Sequence, residues 1–169
     1  MTEEGRAISY IIIDGYNLIG IYHKDLSGQR DALINSMIKY RKIKGHEIII
    51  VFDGWKTGSN KEEHIGAGGI KVIYSKLGEK ADSVIKRIIS REKREWIVIS
   101  SDRDITSYAW SSGSVPVPSE EFLSAVEKAG ESLSGEYELF EEEDAVERKG
   151  NPRKLSKKEK ALRRVLGKL

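Results

Sequence analysis

The sequence predicts an α/β fold in which a mainly parallel sheet of about five strands lies between layers of helices. Short unbroken β-branched runs, such as residues 10–13 and 47–52, are typical of strands buried on both faces of a parallel sheet. Segments with helical apolar spacing alternate with these runs, and this alternation is the pattern of a parallel sheet covered by helices. With 169 residues, 38% of them hydrophobic, the chain suits one such domain with a small appendage.

The predicted elements follow one another in a regular order. Apolar residues at helical spacing predict helices over about 29–44, 80–93 and from 119 onward, and a short helix through Trp110 follows the segment 100–104. Apolar runs predict the remaining strands, at 47–52, 70–74, 96–99 and 115–118. We expect the strand at 70–74 to be more exposed and at a sheet edge, and prolines confine the strand at 115–118 to an edge or a strand end. Residues 55–69 are polar and contain several glycines, which indicates a surface loop.

The composition excludes several classes of protein. The chain has no cysteine, which excludes a disulfide framework and a thiolate metal site and is compatible with a reducing compartment. No run approaches the ~18 apolar residues of a membrane span, and the first residues are polar. The three histidines are isolated, so we expect surface or packing roles for them. We expect a soluble cytoplasmic protein.

Charge is distributed unevenly and suggests three segments. Residues 148–169 hold ten basic residues and one acid, a net charge of +9, whereas the rest holds nineteen bases and twenty-six acids, a net charge of −7. A basic tail on an acidic body indicates contact with a polyanion, although such a tail can also serve solubility alone. We therefore predict an N-terminal extension over 1–8, a domain over 9–130, and an acidic linker with a basic helical tail over 131–169. Ser156 and Glu159 fit the capping box of that last helix.

Acidic residues follow three of the predicted strands. Asp14, Asp53 and Asp102 each stand where a strand ends, and Asp82 opens the helix that should pack beside them. Parallel strands end at one edge of a sheet, where α/β proteins bind ligands, so these carboxylates should converge. Converging carboxylates repel one another unless a cation neutralises them, and hard oxygen ligands suit Mg²⁺ or Mn²⁺. Such ions activate water for attack on phosphorus.

Other residues of these segments complete the predicted site. Asn17 can hydrogen-bond a phosphate oxygen, a base or a water, and Ser100 and Ser101 can do likewise. Gly15 follows Asp14, and we expect it to permit a sharp turn of the chain.

Four motifs in order carry a resemblance to a known family. They are Ile13-Asp14-Gly15-Tyr16-Asn17-Leu18-Ile19, Val51-Phe52-Asp53-Gly54, Ala81-Asp82-Ser83-Val84-Ile85 and Ser100-Ser101-Asp102-Arg103-Asp104. Between about residues 9 and 128 the chain resembles the YacP-like NYN family of the PIN-like nuclease superfamily, and the basic segment from Lys149 resembles that family's tail. The resemblance implies a PIN-like, Rossmann-like α/β/α sandwich and a metal-dependent RNA endonuclease with Mg²⁺ or Mn²⁺.

The resemblance also implies roles for individual residues. Asp14, Asp82 and Asp102 are the expected catalytic acids, and they join Asp53 and Asp104 as the expected metal ligands; Glu79 is a weaker candidate. The resemblance and the positive charge of the tail together indicate the residues expected to contact RNA: Asn17, Ser101, Arg103, Lys149, Arg153, Lys157 and Lys158. RNA is the expected partner, free or presented on the ribosome or another RNA particle.

Several other functions remain open at this point. An NYN-type module can bind RNA without cleaving it, although a bare carboxylate cluster repels phosphates. A Toprim-like enzyme ordinarily has Glu where Asp14 stands, and a haloacid-dehalogenase-like phosphatase needs a second acid two residues after its first, where this chain has Tyr16. No Gly-x-Gly-x-x-Gly follows the first strand, which argues against a dinucleotide-binding domain. The RNA target, the identity of the metal and the oligomeric state do not follow from the sequence.

Overall fold

The structure, a computed structural model, describes residues 8–20, 26–54, 59–133 and 155–169. Its strands are β1 (Tyr10–Asp14), β2 (Glu47–Phe52), β3 (Glu63–Ala67), β4 (Ile70–Tyr74), β5 (Trp96–Ile99) and β6 (Val115–Val117). Its helices are α1 (Gly15–Ile19), α2 (Leu26–Lys44), α3 (Ala81–Arg91), α4 (Arg103–Ser111), α5 (Ser119–Leu133) and α6 (Lys157–Leu166). In these described ranges, no helix combines the length and apolar character that crossing a membrane requires.

The predicted fold class is confirmed, with six strands in one sheet rather than about five. The strand order is β3-β4-β2-β1-β5-β6, and every neighbouring pair is parallel except β3 with β4. β1 is central, and its residues Ile11 to Ile13 are fully buried between the two helical layers. Alternate residues of β1 pack into different clusters, because successive side chains of a strand point to opposite faces.

The loop predicted over residues 55–69 is wrong for residues 63–67. β3 forms there and pairs with β4 through a turn at Gly68 and Gly69, which have φ values of +54° and +89°. The strand was not evident because its side chains are mostly exposed, so it lacks an apolar alternation. Its hydrogen-bond partner β4 stabilises it instead. For the same reason β4 does not lie at an edge as predicted, whereas β6 does.

The C-terminal helix α6 packs on the body. The predicted capping box of Ser156 is present, and the side chain of Val165 is fully buried in the core. The Tyr40 hydroxyl donates to the Leu169 carbonyl at 3.1 Å, and the imidazole Nε2 of His46 lies 2.9 Å from the Lys168 carbonyl oxygen. His46 thus has the packing role that we expected.

The position of α6 relative to the sheet matters for function. His46 immediately precedes β2, and Glu95, which pairs with Arg164 of α6 at 2.8 Å, immediately precedes β5. Both contacts therefore lie where the parallel strands begin. The described part of the tail docks at this end, opposite to the end that carries the strand-terminal acids.

Candidate active site

An acidic cleft lies at the edge where β1, β2 and β5 end. Because these strands are parallel, the residues that terminate them come together there. The cleft has a volume of about 490 Å³. All five residues predicted as metal ligands line it, namely Asp14, Asp53, Asp82, Asp102 and Asp104. We refer to these five carboxylates and the space between them as the acidic cleft.

Asp14 is the most strongly perturbed group of the acidic cleft. Burial at the end of β1 is the main cause of a rise in its pKa to about 7, and the negative charges of Asp53 and Asp102 contribute to the same rise. Hydrogen bonds from the Asn17 backbone and the Ser100 hydroxyl oppose this shift, the latter at a long 3.4 Å. The ionised form of Asp14 is thus poorly stabilised by the groups of the protein alone.

The starts of α3 and α4 hold two of the other acids in place. Asp53 accepts a hydrogen bond at 2.6 Å from the backbone N–H of Ala81, the first residue of α3. Asp102 caps α4 by accepting from the backbone N–H of Asp104 at 2.9 Å. Ser100 is fully buried and links this cap to β1. Its hydroxyl accepts from the Asp102 N–H at 3.1 Å and donates to the carboxylate of Asp14, the last residue of β1. Backbone geometry therefore fixes both carboxylates beside Asp14.

Asp82 occupies the first turn of α3, as the sequence predicts. Its carboxylate accepts from the Ser83 N–H at 2.8 Å and lies 4.0 Å from the Lys86 ammonium. An acid in this turn is also favoured by the helix dipole, so its position has a structural reason besides any role in the acidic cleft.

The donors of the acidic cleft match the chemistry of a hard divalent cation. Among the residues that the structure describes, no three His, Asp or Glu side chains are arranged to hold one ion together. Mg²⁺ does not require such a cage, because it keeps several waters and is commonly bound through one or two carboxylates. Asp14, with Asp53 and Asp102 close enough to raise its pKa, offers such oxygens. The residues therefore fit Mg²⁺ or Mn²⁺ in ligand type.

Asn17 is held by two hydrogen bonds to a single atom. Its side-chain oxygen accepts from the Ser101 N–H at 2.9 Å and from the Ser119 hydroxyl at 2.9 Å. Asn17 lines the acidic cleft, and its backbone hydrogen-bonds the Asp14 carboxylate.

The remaining predicted RNA-binding residues are dispersed. Ser101 and Arg103 are exposed at the start of α4, outside the cleft lining. Lys157 and Lys158 are exposed on α6, and the Lys158 ammonium lies 5.4 Å from the centre of the Trp110 ring. Lys149 and Arg153 lie outside the described residues.

Glu79, the weaker candidate for the acidic site, forms an ion pair outside the acidic cleft. Glu79 pairs with Arg87 at 2.7 Å and does not line the acidic cleft. Its carboxylate is therefore occupied by an ion pair on the flank of α3.

Two residues of the site were missed in the sequence. Lys80 is the one Lys or Arg among the described residues that line the cleft, and its signal was its place directly before the Ala81-Asp82 motif. Ser119 contacts Asn17 across a separation of 102 residues, and no local pattern indicates such a contact.

The glycine after Asp14 has a different role from the one predicted. Gly15 does not have a positive φ, so it makes no turn closed to other residues. A Cβ at Gly15 would lie 2.3 Å from the ring of Phe52, and one at Gly54 would lie 1.5 Å from the Ser75 carbonyl oxygen. The Asp-Gly pairs of β1 and β2 therefore permit close packing around the acidic cleft.

Comparisons with known proteins agree with this architecture. The crystal structure of Rae1 (YacP) from Bacillus subtilis is similar, with a TM-score of 0.61 and 25% identity over 75% of this chain and 78% of that one. A point mutant of the same protein gives a TM-score of 0.64 and 23% identity, with 75% and 80% covered. No curated protein matches the sequence. The profile of the YacP-like NYN domain matches residues 11–165. The chain therefore belongs to the YacP-like NYN domain family, which is of the PIN-like nuclease type and supports a ribonuclease-type function.

Proposed function

We propose that this protein is a Mg²⁺- or Mn²⁺-dependent endoribonuclease whose reaction takes place in the acidic cleft. The observation that carries the proposal is the setting of Asp14, a partly buried carboxylate with Asp53 and Asp102 beside it and a pKa raised to about 7. Such a group is poised to gain a cation, because a positive charge would relieve both the burial and the repulsion. Membership of a family with ribonuclease-type function names the substrate class.

The chain's own residues divide the work in this mechanism. Asp14, Asp53 and Asp102 would hold the ion, which when bound lowers the pKa of water and stabilises charge at phosphorus. Asn17 and Lys80 bring hydrogen-bond donors to a cleft otherwise dominated by carboxylates, so they can contact the RNA phosphate. Hydrolysis with the 3′ oxygen as leaving group yields 5′-phosphate and 3′-hydroxyl ends.

The basic tail adds a second contact for RNA in this proposal. Exposed Lys157 and Lys158 belong to α6, which docks where the strands begin. A five-residue strand spans about 16 Å at ~3.3 Å per residue, so the contacts of α6 with the strand starts lie roughly a strand length from the acidic cleft. An RNA bound by both α6 and the acidic cleft would extend across the domain rather than sit in the cleft alone.

The test is a cleavage assay with a matched substitution. Wild-type protein is incubated with labelled single-stranded and structured RNAs in Mn²⁺, Mg²⁺ or EDTA, and the product ends are identified. Asp14→Asn should reduce cleavage by at least about 100-fold, the scale on which one preorganised electrostatic contact acts. Asp31→Asn is the control, since Asp31 is exposed on α2 and does not line the acidic cleft.

The outcomes separate the proposal from its rivals. Cleavage in Mn²⁺ that EDTA and Asp14→Asn both abolish supports it. Full activity in EDTA with 2′,3′-cyclic phosphate products would contradict it. RNA binding without cleavage under any metal condition would show a non-catalytic RNA-binding module instead.

A further inference from the structure

The orientation of the Asn17 amide follows from its partners. A backbone N–H can only donate a hydrogen bond, so the Asn17 atom 2.9 Å from the Ser101 N–H must be the side-chain oxygen. The Ser119 hydroxyl donates to the same oxygen at 2.9 Å. A carbonyl oxygen has two lone pairs, and these two bonds use both of them. What the amide has left is its NH₂ group, which can only donate.

The two serines are themselves fixed in place. Ser119 is the first residue of α5 and is buried, and its backbone N–H donates to the Ser101 hydroxyl at 3.2 Å. Ser101 lies between β5 and α4, so the network joins the start of α5 to the segment that carries Asp102. Rotating the Asn17 amide by 180° would set NH₂ against the donating Ser101 N–H and leave that N–H without an acceptor. The amide is therefore held in one orientation.

We propose that Ser101 and Ser119 act as positioning residues that make Asn17 a pure hydrogen-bond donor in the acidic cleft, so that Asn17 binds an acceptor oxygen of the RNA and not a metal ion. A cation requires the amide oxygen, and that oxygen is already used twice. A phosphate oxygen requires donors, and in a cleft lined by five carboxylates the Asn17 NH₂ is one of few groups that supply them. The inference rests on the proposed function for its substrate class.

The decisive substitution is Asn17→Asp. The aspartate keeps an oxygen that accepts from Ser101 and Ser119, but it replaces the NH₂ group with a second, negatively charged oxygen. We expect RNA affinity to fall at least 10-fold, while Mn²⁺ affinity stays the same or rises. Asn35→Asp, on the exposed face of α2, makes the same charge change away from the cleft and should leave both affinities unchanged.

A second pair of variants tests the positioning residue. Ser119→Ala removes one of the two bonds that orient the amide and should weaken RNA binding roughly threefold, the scale of one neutral hydrogen bond. Ser119→Thr keeps the hydroxyl and should restore binding, which a merely structural effect of the substitution would not predict. Ser124→Ala, at an exposed position of the same helix, is the control.

Both affinities are measured without relying on cleavage. Fluorescence anisotropy of a labelled single-stranded oligoribonucleotide in Ca²⁺, a hard cation that carboxylate oxygens also bind, reports RNA binding on RNA that a gel shows to be intact, and electron paramagnetic resonance of free Mn²⁺ reports metal binding. If Asn17→Asp leaves RNA affinity intact, or if Asn17→Ala weakens Mn²⁺ binding with RNA affinity unchanged, the inference is overturned. If the wild type never cleaves RNA but the Asn17 and Ser119 variants lose RNA binding as expected, the inference stands and the proposed catalysis fails.

Discussion

Replacing Asp14 by Asn should stabilise the protein while it abolishes the proposed activity. The substitution keeps the size of the side chain and an oxygen that accepts from the Ser100 hydroxyl, but it removes a charge that the fold stabilises poorly. The native state keeps the Asp14 proton up to a pKa of about 7, whereas the unfolded chain loses it near 3.8. The folded state thus binds more protons between these values, so this group makes stability fall as the pH rises from about 4 to 7.

The size of the effect follows from the pKa difference. The carboxyl pKa rises from 3.8 to about 7 on folding. At about 1.4 kcal/mol per unit, the ionised carboxylate costs about 4 kcal/mol of unfolding free energy above pH 7. Near pH 5 the native carboxyl is still protonated and the cost is only about 1.5 kcal/mol. Asp14→Asn should therefore exceed wild type in stability by more at pH 8 than at pH 5.

Urea unfolding of both proteins at pH 5 and pH 8, without divalent ions, measures this difference. Asp31→Asn is the control and should stay within about 0.5 kcal/mol of wild type, as exposed substitutions usually do. Mn²⁺ should raise the wild-type midpoint at pH 8 more than that of Asp14→Asn, because a ligand of the native state stabilises it by mass action. A variant no more stable than wild type at pH 8 would refute the assignment of a partly buried, poorly stabilised charge to Asp14.

Three further predictions concern packing and RNA contact. Gly54→Ala should cost about 3 kcal/mol in urea unfolding, because its methyl group would lie 1.5 Å from the Ser75 carbonyl oxygen and force the backbone apart; a cost below 0.5 kcal/mol would contradict this close approach. Val165→Ala should cost about 2 kcal/mol by the same measurement, since this fully buried side chain docks α6 on the core; unchanged stability would show that α6 does not dock. Changing Lys157 and Lys158 together to Gln should lower the log–log salt slope of single-stranded RNA binding by about 1.4 if each contacts one phosphate. Changing two lysines of α2 to Gln is the control and should leave the slope unchanged. If the Lys157 and Lys158 variant has the same slope as this control, this part of the tail does not belong to the RNA interface.

Much of the fold was readable because its signals are local. The β-branched runs that became β1 and β2, the apolar spacing of α3 and the capping box of α6 each depend on neighbours within a few residues. The strand at 63–67 was missed for the opposite reason, since β3 depends on hydrogen bonds to β4 rather than on its own side chains. The short helix α1, directly after Asp14, was likewise not predicted.

The sequence by itself determined the fold class, the strand-terminal placement of Asp14, Asp53 and Asp102, and the family. Only the tertiary structure decided that Asn17 meets Ser119, that α6 docks where the strands begin, and that Gly15 serves close packing rather than a turn. The physical reason is the separation along the chain between the residues that interact. A periodic pattern depends on residues that are close together in the sequence, whereas the contact of Asn17 with Ser119 joins residues 102 positions apart. Such contacts form only when the strand order brings distant segments together.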